Sequence, residues 1–185
     1  MDLPANHAPA PDWRDNVAFE ARSFTLKQIT PALLHSLGVQ AQASPRRRAN
    51  LNLHDELTDP IQRLAIAMEP ATYVRPHRHQ HTWELLFPLK GRFIVLCFDE
   101  SGTLTERTVL GEASRVVEIP GSTWHAVLSL DSGAVIFEVK HGPYRPIAET
   151  DYAHWSPAAG DAAAAALNDW YATAQLGARW PAQDD

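Results

Sequence analysis

The sequence predicts an all-β jelly roll, a closed β-barrel with a short helix before it and a second helix after it. Three observations carry that prediction. Between about residues 61 and 139, short runs rich in Val, Ile, Leu and Phe recur at hairpin spacing. Turn signals separate them at Glu69-Pro70, Lys90-Gly91, Glu100-Ser101-Gly102, Pro120-Gly121 and Asp131-Ser132-Gly133. Helix-like sequence is confined to the two flanks.

The elements follow in chain order. Residues 1–22 are rich in Pro, Ala, Asp and Asn without periodicity and read as a flexible arm, ordered if at all by a partner subunit. Thr30 caps a helix with Pro31 in its first turn; Leu33, Leu34 and Leu37 point to the core, and Gly38 is expected to end it. Eight strands are expected at 62–68, 72–79, 84–89, 92–98, 104–110, 115–119, 125–129 and 134–140. The alanine run within 161–175 favours a helix, stopped at Leu176-Gly177, with its alanines and Trp170 packing on the barrel or a neighbouring subunit. The last eight residues read as loose. The expected division is an arm at 1–22, a helical and extended segment at 23–56 packing on the barrel, the barrel at 57–150, and a helix and tail at 151–185.

Composition narrows the class. With 185 residues and 45% hydrophobic content, the chain suffices for one domain with a sizeable core. A net charge of −6, from 16 basic and 22 acidic residues, disfavours nucleic acid and anionic membrane surfaces as partners. The start, Met1-Asp2-Leu3-Pro4, resembles no secretory leader, and no stretch is long and uncharged enough to span a bilayer. The single cysteine, Cys97, sits in an apolar strand as a buried side chain; a reducing cytoplasm is the expected location.

The chemistry concentrates in two segments. His77 and His79, two apart on an extended chain, share one face, and Pro76 beside them excludes a helix interior. Glu84 lies an odd number of residues beyond His79, so the chain must turn or bulge around residues 80–82 before the carboxylate faces the same cavity. Far downstream, Pro120-Gly121-Ser122-Thr123-Trp124-His125 supplies a third imidazole. Three histidines and a carboxylate suit divalent Zn, Fe, Mn, Ni, Co or Cu and disfavour Ca and Mg, which prefer all-oxygen shells.

These residues resemble the two motifs of the cupin superfamily, G(x)5HxH(x)3–4E(x)6G and G(x)5PxGxxH(x)3N. His77, His79, Glu84 and Gly91 fall in register with the first, and Pro120 and His125 with the second. Ala71 and Ser114 replace the leading glycines, Gly121 sits one place early, and Ser129 replaces the final asparagine. Those departures touch turns, not ligands. Over roughly 25–175 the chain resembles WbuC-type cupin-fold metalloproteins, through the segment from Ser44-Pro45-Arg46-Arg47-Arg48 to Asn52-Leu53-His54, Tyr73-Val74-Arg75-Pro76-His77-Arg78-His79, Phe98-Asp99-Glu100-Ser101-Gly102 and Glu138-Val139-Lys140-His141-Gly142-Pro143-Tyr144. The resemblance implies a double-stranded β-helix with a bound metal, associated with surface-polysaccharide gene clusters.

Around the expected metal, several side chains are open to two readings. Tyr73 and Arg75 share the face of His77 and His79 and would orient an anionic or polyhydroxylated ligand such as a sugar or sugar nucleotide; Arg75 reads equally as a rim salt bridge. Glu138 and Lys140 share one face of the last strand, as acid–base candidates if inward, though a solvent-exposed pair is favoured. Arg46, Arg47 and Arg48 read first as a solvated run and second as an anion site. Trp124 is expected to pack, His54 and His141 to be ordinary polar histidines, and His81 is open. The expected function is a mononuclear metal-dependent enzyme with dioxygenase, isomerase or lyase chemistry on a small polar or anionic carbohydrate-related ligand. The alternative is a non-catalytic metal- or sugar-binding module; a metal-free epimerase is disfavoured by the complete ligand set. Unpaired sheet edges make a homodimer the expected assembly.

Overall fold

Thirteen residues after Thr30 form the first helix, α1, over Pro31–Ala43, with the Thr30 hydroxyl accepting from the Leu33 amide. The computed structural model describes residues 26–180, so the expected arm at 1–22 and the extreme C-terminus lie outside the described residues. Eight strands follow: β1 (Arg48–Asn52), β2 (Ile61–Met68), β3 (Glu84–Lys90), β4 (Phe93–Phe98), β5 (Leu104–Leu110), β6 (Val117–Ile119), β7 (Trp124–Ser129) and β8 (Ala134–His141). A second helix, α2, spans Ala162–Thr173. The strands form two antiparallel sheets, β1-β2-β8-β3-β6 and β5-β4-β7, in the jelly-roll sandwich with flanking helices that the sequence predicts.

Strand alternation sorts the side chains into layers. In β4, Phe93 and Val95 face the other sheet, while Ile94, Leu96 and Phe98 face α2, so both faces are covered and every second-residue pattern is lost. Between the sheets lie Ile66, Met68, Leu86, Val127 and Ile136. On the outer face of the five-stranded sheet, Ala65, Ala67 and Val135 are buried with Leu37 and Ala41 of α1. The order is α1, five-stranded sheet, three-stranded sheet, α2.

Three expectations are corrected. The helix does not end at Gly38 but runs on to Ala43. Gly38 faces Gly133, where an added Cβ would stand 3.3 Å from the Gly133 Cα, so it serves close packing and not termination. Residues 72–79 form no strand; among them His77 alone is bridged, to His125 and Tyr152. Pro76 lacks the amide that a ladder would need. The eighth strand is instead β1, paired with β2 from Arg48↔Met68 to Asn52↔Leu64, so part of the segment expected to pack on the barrel belongs to its sheet. No helix among the described residues is long and apolar enough to cross a membrane.

Candidate metal centre

Four ligand-type residues meet at one end of the sandwich, each delivered by a different local device. His77 is fixed to β7 by a reciprocal pair of backbone bonds, His77 N–H to His125 O at 3.0 Å and His125 N–H to His77 O at 2.9 Å. The chain turns at Gln80 and His81, within the window that the odd spacing requires, and re-enters as β3 with Glu84 as its first residue. His125 is the second residue of β7, on the other sheet. The ligand-type atoms of His77, His79, Glu84 and His125 all lie within 4.8 Å of one another, and the group could hold a metal ion.

Two identical contacts set the tautomers. His77 Nδ1 donates to the Arg75 carbonyl and His125 Nδ1 to the Thr123 carbonyl, both at 2.9 Å and both two residues back. With the proton on Nδ1, the Nε2 lone pair is free to coordinate. His125 Nε2 is buried without a hydrogen-bond partner, although it stands 3.0 Å from Glu84 Oε2. His79 Nε2 lies 2.9 Å from Glu84 Oε1. Lone pairs converging on a buried carboxylate need a cation among them, either a proton or a metal, and this donor set fits a transition metal.

Electrostatics follow from burial and these contacts. Desolvation, then neighbouring His125, hold the His77 pKa well below the usual imidazole value, so its ring is neutral near pH 7. Burial alone would raise the Glu84 pKa, but His125, His79 and Lys140 outweigh it and hold the carboxyl well below its usual range. Burial likewise works against charge on His125, and Glu84 overcomes it, raising the pKa.

The chain between the ligands is pinned from outside. Arg78 stacks over the Trp124 ring at 4.3 Å and pairs with Asp151 at 3.3 Å and Glu100 at 3.2 Å. Trp124 itself is buried in the α2-facing core, as a packing residue. Across the site, Ser122 N–H donates to His79 O at 2.8 Å. Ser122 adopts φ +65°, the left-handed backbone that the expected glycine would supply at that position, so the shifted Gly121 leaves the loop shape intact.

The four residues open onto a cavity of about 970 Å³ whose walls also carry Tyr73, Arg75, Glu138 and Lys140. Arg75 is held by Glu149 at 2.9 Å, by Ser156 at 3.1 Å and against the Tyr152 ring at 4.8 Å, so it is both rim ion pair and cavity wall. The Tyr73 hydroxyl donates to Pro157 O, and burial pushes its pKa up to about 12. Glu138 and Lys140 are not a solvent-exposed pair. The register Glu84↔Lys140 and Leu86↔Glu138 turns both inward, and Lys140 Nζ bridges Glu84 at 2.9 Å and Glu138 at 2.7 Å. Arg46 and Arg48 line the cavity too, while Arg47 turns back to the Gln42 carbonyl. His81 is exposed beyond the turn, and His141 packs its ring on Trp83 at 4.9 Å. Cys97 is half-buried in β4, its thiol pKa pushed up to about 11 by desolvation.

A family described as a domain of unknown function, DUF6016, matches residues 29–110, a stretch that holds His77, His79 and Glu84 and ends before His125. No curated protein matches the chain. Among solved structures, KdgF from Halomonas sp. is similar at 16% identity over 55% of this chain and 84% of that one, with a TM-score of 0.44. Oxalate oxidase in complex with the substrate analogue glycolate is similar at 18% identity over 57% of this chain and 56% of that one, with a TM-score of 0.45. A cupin-2 domain-containing protein from Shewanella frigidimarina is similar at 15% identity over 51% and 80%, with a TM-score of 0.40. At these TM-scores the likeness adds no weight to any functional reading.

Proposed function

We propose that this chain is a mononuclear divalent-metal-binding cupin of the WbuC type, acting as an enzyme on a small anionic carbohydrate-related ligand. His77, His79, Glu84 and His125 are its ligands. The supporting observation is the convergence of their four donor atoms, with two tautomers set by backbone carbonyls, on a cavity of about 970 Å³ that they line. A bound transition metal would supply Lewis-acid polarisation of a ligand oxygen or a lowered pKa for bound water.

The chain's own side chains do the positioning. Arg75, fixed by three contacts, presents a guanidinium to an anionic group, and Tyr73 borders the same space. Lys140 stays charged between Glu84 and Glu138, which compete to raise its pKa against the pull of burial. As an ammonium it is placed to donate a hydrogen bond to a ligand oxygen, while Glu138 beside it is the carboxylate that could take a proton. A role in surface-polysaccharide synthesis, a cytoplasmic location and a homodimer belong to this proposal. So does the division of the chain into a barrel that carries the site and flanking segments that pack on it.

Elemental analysis of protein purified without affinity tag or chelator tests the centre, run beside His77→Ala and Glu84→Ala. Near-stoichiometric transition metal in the parent, lost in both variants, is the expected result. Iron would direct assays to dioxygen chemistry, and zinc or manganese to isomerase or lyase chemistry. Absence of metal that added ions do not restore overturns the proposal.

A further inference from the structure

β1 is built inside out. Its register with β2 sets Ala49 and Leu51 opposite Ala67 and Ala65, on the face buried by α1. Arg48, Asn50 and Asn52 lie opposite Met68, Ile66 and Leu64, on the face that elsewhere builds the apolar core between the sheets. The alternation continues beyond the strand to His54, and all four side chains line the cavity of the candidate metal centre. A four-residue polar stripe thus replaces core on one wall.

The stripe is incompletely satisfied. Arg48 Nε donates to Asn50 Oδ1 at 3.2 Å, while Asn50 and Asn52 remain exposed on the cavity wall. His54 is buried, with only 4% exposure, and its Nδ1 stands 3.0 Å from both the amide and the carbonyl of Arg63, accepting from the one or donating to the other according to its tautomer. In either tautomer its buried Nε2 has no partner. An orphaned buried polar nitrogen costs about 1–3 kcal/mol, which a ligand hydroxyl, able to accept or to donate, would offset. Asn52 and His54 also border a smaller recess beside Lys27 and Asp55, so it is the stripe as a whole, and not this ring alone, that belongs to the larger cavity. Charge points the same way: five cations, Arg46, Arg48, Arg75, Lys140 and Arg145, face three carboxylates on the cavity wall.

We propose that Arg48, Asn50, Asn52 and His54 form a recognition strip for a polyhydroxylated anion, with Arg48 binding its carboxylate or phosphate and the asparagines and His54 its hydroxyls. This deepens the proposed function, since it names the ligand class for the cavity in which that function would be performed. Successive same-face residues of a strand stand about 6.6–6.8 Å apart, so a six-carbon ligand meets two or three neighbouring members of the strip at once. Amide side chains donate and accept together, as hydroxyls require.

The test is calorimetric binding of D-gluconate, D-glucose 6-phosphate and neutral D-glucose, to metal-loaded and to chelator-treated protein. One anion is expected to bind at or below about 10 mM with glucose at least about tenfold weaker, the margin of one charge-assisted contact. Preference for gluconate or for glucose 6-phosphate tells carboxylate from phosphate. Arg48→Met should weaken the anion about tenfold, Arg48→Lys should retain most affinity, and Asn50→Ala with Asn52→Ala should weaken it about three- to tenfold. Metal content and melting temperature, measured on each variant, should match the parent. Failure of both anions to bind the parent, or wild-type affinity in the β1 variants, overturns the strip. If the parent holds no metal yet the β1 variants still lose the anion, the strip stands and the metal reading falls.

Discussion

Lys140 shows how one side chain can be misread from its neighbours in sequence and read correctly from its neighbours across a sheet. Beside Glu138 on a strand it resembles an exposed pair, but the register with β3 places it over Glu84. Removing its charge leaves two inward carboxylates facing one another. Lys140→Met should therefore destabilise metal-free protein by about 3 kcal/mol, the low end for breaking a buried pair because Lys140 keeps 16% side-chain exposure. Metal loading should recover part of that loss, since the ion adds positive charge beside Glu84; urea unfolding with and without metal measures both. Ser122 offers a second residue-scale prediction. With φ +65° it bears a strain that glycine escapes, so Ser122→Gly should raise stability by up to about 1 kcal/mol in the same assay, with metal content unchanged.

At the scale of elements, legibility depended on length and on which face was wet. Seven of the eight expected strands stand within two residues of their expected bounds, because turns with glycine or proline punctuate them. The ligand positions were legible for a similar reason: a two-residue offset on an extended chain and a short motif around His125 survive any uncertainty in sheet pairing. β1 was missed because two arginines precede it, a third opens it, and its polar residues face inward, reversing the usual rule. The spacing Arg48, Asn50, Asn52, His54 was nevertheless a period of two in plain view. A segment with a single bridge and no ladder, as at 72–79, can carry the same residue types as a strand, so composition alone does not separate them.

Across the whole molecule, the C-terminal third closes what the strands leave open. α2 covers the outer face of β4 and β7, with Leu167 and Tyr171 fully buried there, and the Tyr171 hydroxyl donates to Val74 O at 3.2 Å. Tyr73 answers by donating to Pro157 at 2.9 Å, so two phenols tie the segment before the ligands to the C-terminal region. The sign of the resulting pH dependence is fixed. Burial raises the Tyr73 pKa from its ordinary 10 to about 12, so its stabilisation is complete below pH 10 and is lost as pH rises toward 12. Calorimetry of parent and Tyr73→Phe across that window should show the parent losing melting temperature faster than the variant. A constant difference would mean that the phenol ionises alike in folded and unfolded chains.

The unladdered stretch at 72–79 has a kinetic consequence. It carries His77 and His79, yet among the described residues its backbone is held by no ladder, and by the paired bonds at His77, the Arg78 amide to Asp151, the Thr72 amide to Glu69 and the carbonyl contacts at Val74, Arg75, Pro76 and His79. If the proposed metal is bound, half of its ligand set sits on this stretch outside both sheets, and local opening, not global unfolding, is the expected route for ion entry and loss. Amide hydrogen exchange at Tyr73, Val74 and Arg75 should run far faster than in β4 and should slow when metal is added. The rate of metal release should follow that exchange and remain insensitive to substitutions in the core between the sheets.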